Sequence, residues 1–371
     1  MMRILVLANF GMGLYNFRKE LLEKLIEQNH EVYISLPNDQ EYVPKLERLG
    51  CKFINTPVSR RGTNPITDFR LLLNYKKMIR NIKPDVVLTY TIKPNIYGGL
   101  ACRLANVSYL VNITGLGTAV ENGGLLQKIT LLLYKASLKR AKCVFFQNSG
   151  NMNFLTKQKV IKGNYKVLPG SGVNLNHYAL LDYPSDNTTI NFLFISRVMK
   201  EKGIDQYLDA ASHIKKKYPN TAFHIIGFCE DAYEEKLMEM QEKGIIKYHG
   251  KQSDVREFHK ISHCTIHPTY YPEGMSNVLL ESAACGRPII TTNRNGCKEI
   301  IDEGINGYIV EQKNSQDLIG KIEKFLDLDY EAKREMGIAG REKVENEFDR
   351  QIIINEYLNV IRKQAKENYN D

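Results

Sequence analysis

Between Tyr270 and Ser282 the sequence reads YYPEGMSNVLLES and sets two carboxylates, Glu273 and Glu281, eight residues apart. CTIHPT ahead of it carries a strand signal, and NVLLESAAC reads as a helix closed by Gly286, with Pro288 opening the next strand. Ser276 or Asn277 is the natural N-cap, so Gly274, Met275, Ser276 and Asn277 present amides at a helix N-terminus, an arrangement suited to an anion. Glu273 precedes the helix and Glu281 falls in its second turn, so the two cannot share one acid–base task; they suit different parts of one long ligand. Taken alone, they also fit a solvated turn residue and an exposed helix residue. SRVMKEKG adds Arg197 and Lys202, a guanidinium and an ammonium suited to a diphosphate, or else a solvated basic turn. GMGLYNFR follows the first strand signal, and Gly11 and Gly13 permit close backbone approach to a ligand ahead of a helix starting near Asn16. The dinucleotide fingerprint fails there, because Asn16 stands where a third glycine belongs and EVYISLP ends without an acidic residue. His259, His263 and His267 have no interleaved carboxylate, so no metal site is expected. The seven cysteines are scattered without a CxxC pair, which suits a reducing compartment and no disulfide framework.

Apolar runs separated by helical patterns must position these residues. RILVLANF, EVYISLP, KPDVVLTY, YLVNIT and KCVFFQN form one series; INFLFISRV, TAFHIIGF, IIKYHG, CTIHPT, RPIITTN and GYIV form a second. Such alternation predicts parallel sheets covered on both faces. The expected organisation is a domain over 1–168, a Gly-, Pro- and Asn-rich linker over 169–189, a second domain over 190–348, and a last helix over 349–371 returning to the first domain. Two such domains are expected to face each other across a cleft at the carboxyl ends of their sheets. The N-terminal apolar run reads as a buried strand rather than a signal peptide, and no run approaches the ~18 apolar residues of a membrane span. Charge is divided unevenly: residues 1–170 hold 25 Lys and Arg against 10 Asp and Glu, a net +15, while the remainder carries −6. That asymmetry points to an anionic partner for the first half. Two basic amphipathic stretches lie there, at 70–83 and 125–142. The second carries Leu126, Ile129, Leu133 and Leu138 beside Lys128, Lys135, Lys139, Arg140 and Lys142. Such helices meet membrane surfaces or bury their apolar face in a core.

SRVMKEKG, PEGMSNVLLESAACGRPIITTNRNGCKEII and GVNLNHY together resemble family 4 glycosyltransferases of the GT-B fold, over nearly the whole chain. The resemblance implies an α/β protein of two Rossmann-like domains and a catalytic set of Glu273, Arg197 and Lys202. Arg197 and Lys202 would hold the donor diphosphate and neutralise the leaving group, with neither metal nor other cofactor. Glu281 would accept from the ribose hydroxyls, and Glu273 with the amides of Gly274, Met275, Ser276 and Asn277 would hold the sugar and diphosphate. Transfer would retain the anomeric configuration. LYNFR, SRRGTNP, TIKPNIYGGLACRLA and NITGLGT are similar to bacterial enzymes that extend sugars on undecaprenyl diphosphate, N-acetylgalactosaminyl and galactosyl transferases among them. Gly13 would then approach the donor diphosphate, and Tyr15, Arg18, Arg60, Lys93, Asn112 and Thr114 would face the acceptor. Many family members have a histidine near the reacting sugar where this chain has Asn112, Thr114 and Gly115. The implied partners are a UDP-sugar, a polyprenyl-diphosphate-linked acceptor and an anionic membrane surface, at the cytoplasmic face of a bacterial plasma membrane. A UDP-sugar epimerase is the alternative enzyme, but the first half lacks a carboxylate–histidine set for proton shuttling. A pI near 9.0 raises nucleic-acid binding, yet no helix-turn-helix, zinc finger or aromatic-studded RNA sheet motif is present and none is expected to bind.

Overall fold

A computed structural model describes residues 1–59, 64–121, 123–185 and 189–370. The chain divides into two compact units: Met1–Ser171 with Gln351–Asp371, and Gly172–Arg350.

Unit 1 is built on seven parallel strands: β1 (Arg3–Leu7), β2 (Glu31–Leu36), β3 (Lys52–Asn55), β4 (Val86–Tyr90), β5 (Tyr109–Ile113), β6 (Cys143–Phe146) and β7 (Tyr165–Val167), in the order β3-β2-β1-β4-β5-β6-β7. Both faces of this sheet are covered, which is why its central strands are continuous apolar runs. The two-residue period divides β1 between two cores: Ile4 and Val6 join one, Leu5 and Leu7 the other. The first core takes Leu14, Leu21 and Leu25 from the helix Gly11–Glu27 and Ile353, Tyr357 and Ile361 from the last helix, Arg350–Asn370. The second takes the helices Pro65–Ile82, Gly99–Ala105 and Gly124–Leu138.

Unit 2 repeats the plan with β8 (Ile190–Ile195), β9 (Thr221–Ile226), β10 (Lys247–Tyr248), β11 (Cys264–His267), β12 (Ile289–Thr292) and β13 (Gly307–Val310), ordered β10-β9-β8-β11-β12-β13. In each unit the order reverses beside the first strand, between β1 and β4 and between β8 and β11. The carboxyl ends at such a reversal splay their loops apart and leave room for a ligand. Of the stretch expected as a linker, residues from Gly172 onward belong to unit 2. Val173 N–H donates to Phe348 O (2.9 Å), and the Tyr183 hydroxyl to His263 O (2.8 Å). The fully buried Arg287 guanidinium binds the same stretch through Asp182 O (2.8 Å) while its Nε donates to His259 O (2.7 Å).

Two other expectations shift. The first helix begins at Gly11 rather than near Asn16, so Gly11 and Gly13 sit in its first turn. The stripe Leu126, Ile129, Leu133 and Leu138 is not one buried face: Leu138 enters the core while Leu126 and Ile129 are exposed.

The last helix is fastened by a buried polar chain. Thr89 Oγ1 donates to Asn95 Oδ1 (2.8 Å), Asn95 Nδ2 to Asn112 O (2.8 Å) and Asn112 Nδ2 to Thr89 O (3.0 Å), while the Tyr357 hydroxyl donates to Asn112 Oδ1. Tyr357→Phe keeps the ring packed on Phe145 at 4.6 Å and strips the buried Asn112 oxygen of its donor. We expect a loss of about 1–3 kcal/mol, read from the urea midpoint.

Candidate active site

The loops after β8 and β11 bring together the residues of unit 2 that are expected from sequence on the donor side. Lys202 closes a short 3-10 turn (Lys200–Lys202) and pairs its Nζ with Glu273 Oε1, both side chains largely buried. The same Nζ lies 4.8 Å from the Tyr271 ring centroid, and Arg197 Cζ lies 5.3 Å from it. Arg197 also pairs with Glu230. Glu230 comes from the loop after β9, which is laced to the β8 loop by Val198 N–H to Phe228 O and Glu230 N–H to Val198 O, both 2.9 Å. Two cations thus converge on one tyrosine ring, each held by its own carboxylate.

The helix after β11 spans Asn277–Ala284 with Ser276 as its N-cap by backbone, yet the Ser276 hydroxyl makes no capping bond. Gly274, Met275 and Ser276 are buried. The Ser276 amide is already given to Gly296 O (2.7 Å). A Cβ on Gly296, whose φ is +89°, would stand 2.6 Å from Gly274 O, so glycine is needed for that contact. Asn277 Oδ1 is buried without a hydrogen-bond partner. The amides of the first helical turn have no intrahelical acceptor. An acceptor-rich anion with one donor group complements this combination.

Glu281 is half-buried, and desolvation pushes its pKa up to about 7 against the pull of Arg350 and the Tyr178 hydroxyl. Arg350 is itself buried, donating to Gly172 O (3.1 Å). His267, at the end of β11, is buried with both ring nitrogens unpartnered, and desolvation with the nearby Lys202 charge lowers its pKa to about 3. His259 is likewise buried, whereas His263 Nδ1 accepts from Asn191 N–H (3.0 Å). Among the described residues no group of three or more His, Cys, Asp or Glu could hold a metal.

In unit 1 the expected residues divide. Gly13 lies in the first turn of its helix, where a Cβ would meet Phe10 Cδ1 at 3.3 Å. The Tyr15 ring lies 6.0 Å from that of Tyr42, tilted by 53°, with the Lys19 and Lys45 ammonium groups each 5.7 Å from it. Lys93 pairs with Asp68 (2.6 Å), which also accepts from the Tyr97 hydroxyl (3.0 Å). Thr114 follows β5 and is half-buried. Arg18 and Asn112 turn inward instead, at 5% and 2% exposure. Arg18 sits 5.0 Å from the Tyr90 ring centroid, and Asn112 belongs to the chain that fastens the last helix. As placed, both side chains brace the unit's interior. Arg60 lies outside the described residues. Sequence reasoning missed Tyr271, Glu230, Tyr178 and Arg350, although Tyr271, inside YYPEG, and Tyr178, inside GVNLNHY, lay in stretches already singled out.

Two family models cover most of the chain, "Glycosyl transferase 4-like" over residues 3–148 and "Glycosyl transferases group 1" over 182–343. The chain belongs to these glycosyltransferases. It is similar to the N,N'-diacetylbacillosaminyl-diphospho-undecaprenol alpha-1,3-N-acetylgalactosaminyltransferase of Campylobacter jejuni, with 27% identity over 98% of this chain and 100% of that one. It is also similar to the UDP-Gal:alpha-D-GlcNAc-diphosphoundecaprenol alpha-1,3-galactosyltransferase of Escherichia coli, with 25% identity over 73% and 74%. Among solved structures, Anabaena HepE in complex with UDP and glucose matches with a TM-score of 0.79 at 16% identity, covering 98% of this chain and 100% of that one. The fold is GT-B.

The Glu281 carboxyl makes a pH prediction. Its folded pKa, about 7, stands above the ordinary 4.5, so the folded state holds the proton more firmly. Its contribution to stability is complete below about pH 4.5 and is lost as pH rises through 7. Glu281→Gln should match the wild type near pH 4 and exceed it by on the order of 1–3 kcal/mol by pH 8, read from paired urea titrations. A difference that does not vary with pH would show an unperturbed carboxyl.

Proposed function

We propose that this glycosyltransferase is a retaining, metal-independent hexosyltransferase. It moves a hexose or N-acetylhexosamine from a UDP-sugar to a saccharide carried on a polyprenyl diphosphate, in bacterial surface-glycan synthesis. The observation that carries the reading is the convergence of Arg197 and Lys202 on Tyr271, beside Glu273 and an N-terminal helical turn. Breaking the bond between the anomeric carbon and the β-phosphate oxygen leaves negative charge on UDP. Cations fixed beforehand at that position stabilise the transition state more than the ground state. Arg197, held by Glu230, and Lys202 take that role, which a divalent cation fills in other phosphate chemistry. Glu273 accepts hydrogen bonds from the sugar, and Glu281 accepts from the ribose hydroxyls. An acceptor hydroxyl attacks from the leaving-group side, and its proton passes to the departing phosphate oxygen. Tyr15, Lys93 and Thr114 are the acceptor-facing candidates of unit 1.

The names of the two relatives support an acceptor linked to a polyprenyl diphosphate. Among the described residues no helix is long and apolar enough to cross a membrane. The net +15 of residues 1–170 supports peripheral attachment to an anionic cytoplasmic leaflet, at roughly 1 kcal/mol per basic residue near the surface.

Incubating the protein with a panel of UDP-sugars and polyprenyl-diphosphate-linked saccharides should release UDP at an undiminished rate in EDTA, with the product keeping the donor's anomeric configuration by NMR. Arg197→Ala should lower kcat about 10²–10³-fold, whereas Glu281→Gln should act chiefly on the donor KM. Absence of UDP release with every pairing would overturn the reading; inversion, or loss of activity in EDTA, would overturn its mechanism.

A further inference from the structure

Unit 1 exposes large apolar side chains in a pattern that the reaction does not use. The helix Pro65–Ile82 exposes Ile66, Phe69 and Leu73, and the helix Gly124–Leu138 exposes Leu125, Leu126, Ile129 and Leu132; the range runs from 43% at Leu126 to 74% at Leu125. Each set falls on one side of its helix at about 100° per residue. The first set is confined to the first half of its helix, and the second runs from the start of its helix to just past the middle, at Leu132. Helices of a parallel sheet run opposite to the strands they connect, so both begin at the carboxyl ends of those strands. The apolar halves therefore lie at the same edge of the unit as Lys93 and Thr114. Both helices pack on the same side of the sheet, sharing a core with the Gly99–Ala105 helix between them in sequence. Basic residues continue each surface: Arg70, Lys77 and Arg80 on the first helix, and Lys128, Lys135 and Lys139 along the flank of the second. The second helix has no acidic residue, and the one in the first, Asp68, is buried against Lys93. Unit 2 differs, because its exposed Leu180, Phe228, Met238, Ile261 and Ile305 lie on separate segments.

We propose that these two helix faces form one docking surface whose occupant is the headgroup–hydrocarbon boundary of an anionic bilayer. The apolar side chains sink below the headgroups, Arg70 and Lys128 among them extend their long side chains back to the lipid phosphates, and the basic residues farther along each helix meet the phosphates directly. This deepens the lipid-linked acceptor reading and rests on it: the acceptor-facing edge of unit 1 is held at the depth where a polyprenyl diphosphate displays its charged end. Attachment then has two parts, a coulombic one weakened by salt and an apolar one that salt leaves in place.

The chain has no tryptophan, so single substitutions report position. With phosphatidylglycerol vesicles, full-length Phe69→Trp and Leu132→Trp proteins should show a blue-shifted emission that lipids brominated along the acyl chain quench. Ile305→Trp in unit 2 should show neither. The double variant Leu125→Ser/Leu132→Ser, altered only at exposed positions, should bind these vesicles at least tenfold more weakly in ~0.15 M salt. It should still transfer sugar to a short-chain, water-soluble acceptor as the wild type does. Vesicle binding without a spectral shift at Phe69→Trp or Leu132→Trp would overturn the proposal. So would a shift that grows with protein concentration in the absence of lipid, which would assign the face to a second copy of the chain. The vesicle measurements contain neither donor nor acceptor, so failure of wild-type transfer to the short-chain acceptor counts against the proposed activity alone.

Discussion

The loops after β8 and β11 meet backbone to backbone, and the donor side of the protein depends on that contact. Gly203 ends the turn carrying Lys202 with φ +78°, and a Cβ there would stand 2.1 Å from the Pro268 carbonyl oxygen. Only glycine permits both the left-handed conformation and the approach. The approach is then fixed by hydrogen bonds from Tyr270 N–H (2.9 Å) and Thr269 Oγ1 (3.3 Å), both to Glu201 O. With the two loops in register, Lys202 falls beside Glu273 and both basic side chains reach Tyr271. The reversal of strand order between β8 and β11 supplies the space; the glycine lets the loops share it without a side chain between them.

Within that frame the charges are arranged in pairs before any substrate enters. Lys202 has Glu273, and Arg197 has Glu230. Pairing offsets the desolvation that burial would otherwise impose on an isolated ion, and it fixes the direction of the cationic groups. Glu281 is the contrast. Burial raises its pKa to about 7 in spite of Arg350 and Tyr178, so its charged form is costly until ligand donors reach it. The proposed ribose contact would bring two O–H donors of a vicinal diol to that one carboxylate and so offset the cost.

The sheets were legible wherever strands are buried on both sides. All six strands of unit 2 and five of unit 1 coincide with apolar runs; the edge strands β3 (KFIN) and β7 (YKV) escaped because neither holds a run of buried apolar residues, whereas the edge strand β10 adjoins the apolar Ile245 and Ile246. Glu273 and Glu281 were legible because a turn and a helix start are local signals. Glu230, Tyr178 and Arg350 were not: each reaches the site from a segment distant in sequence, and spacing carries no trace of such a meeting. Arg287 shows the opposite difficulty. Within GRPI it reads as part of a functional motif, yet its guanidinium is buried among backbone carbonyls and fastens residues 181–182 to unit 2.

The excess of positive charge in the first half therefore has to be divided by location before it can be assigned a role. Arg18 is enclosed by Tyr90 and Tyr357, and Lys93 is held by Asp68, so neither contributes freely to an external field. The exposed share includes Arg70, Lys77 and Arg80 on one helix and Lys128 and Lys135 on another, with Lys139 at its C-cap; Arg70 and Lys128 lie among the exposed apolar residues and the others follow them. A polyanion in water has no use for the apolar halves, and a neutral apolar partner has no use for the lysines. A surface that offers both at adjoining depths satisfies the two together, and an anionic bilayer is such a surface.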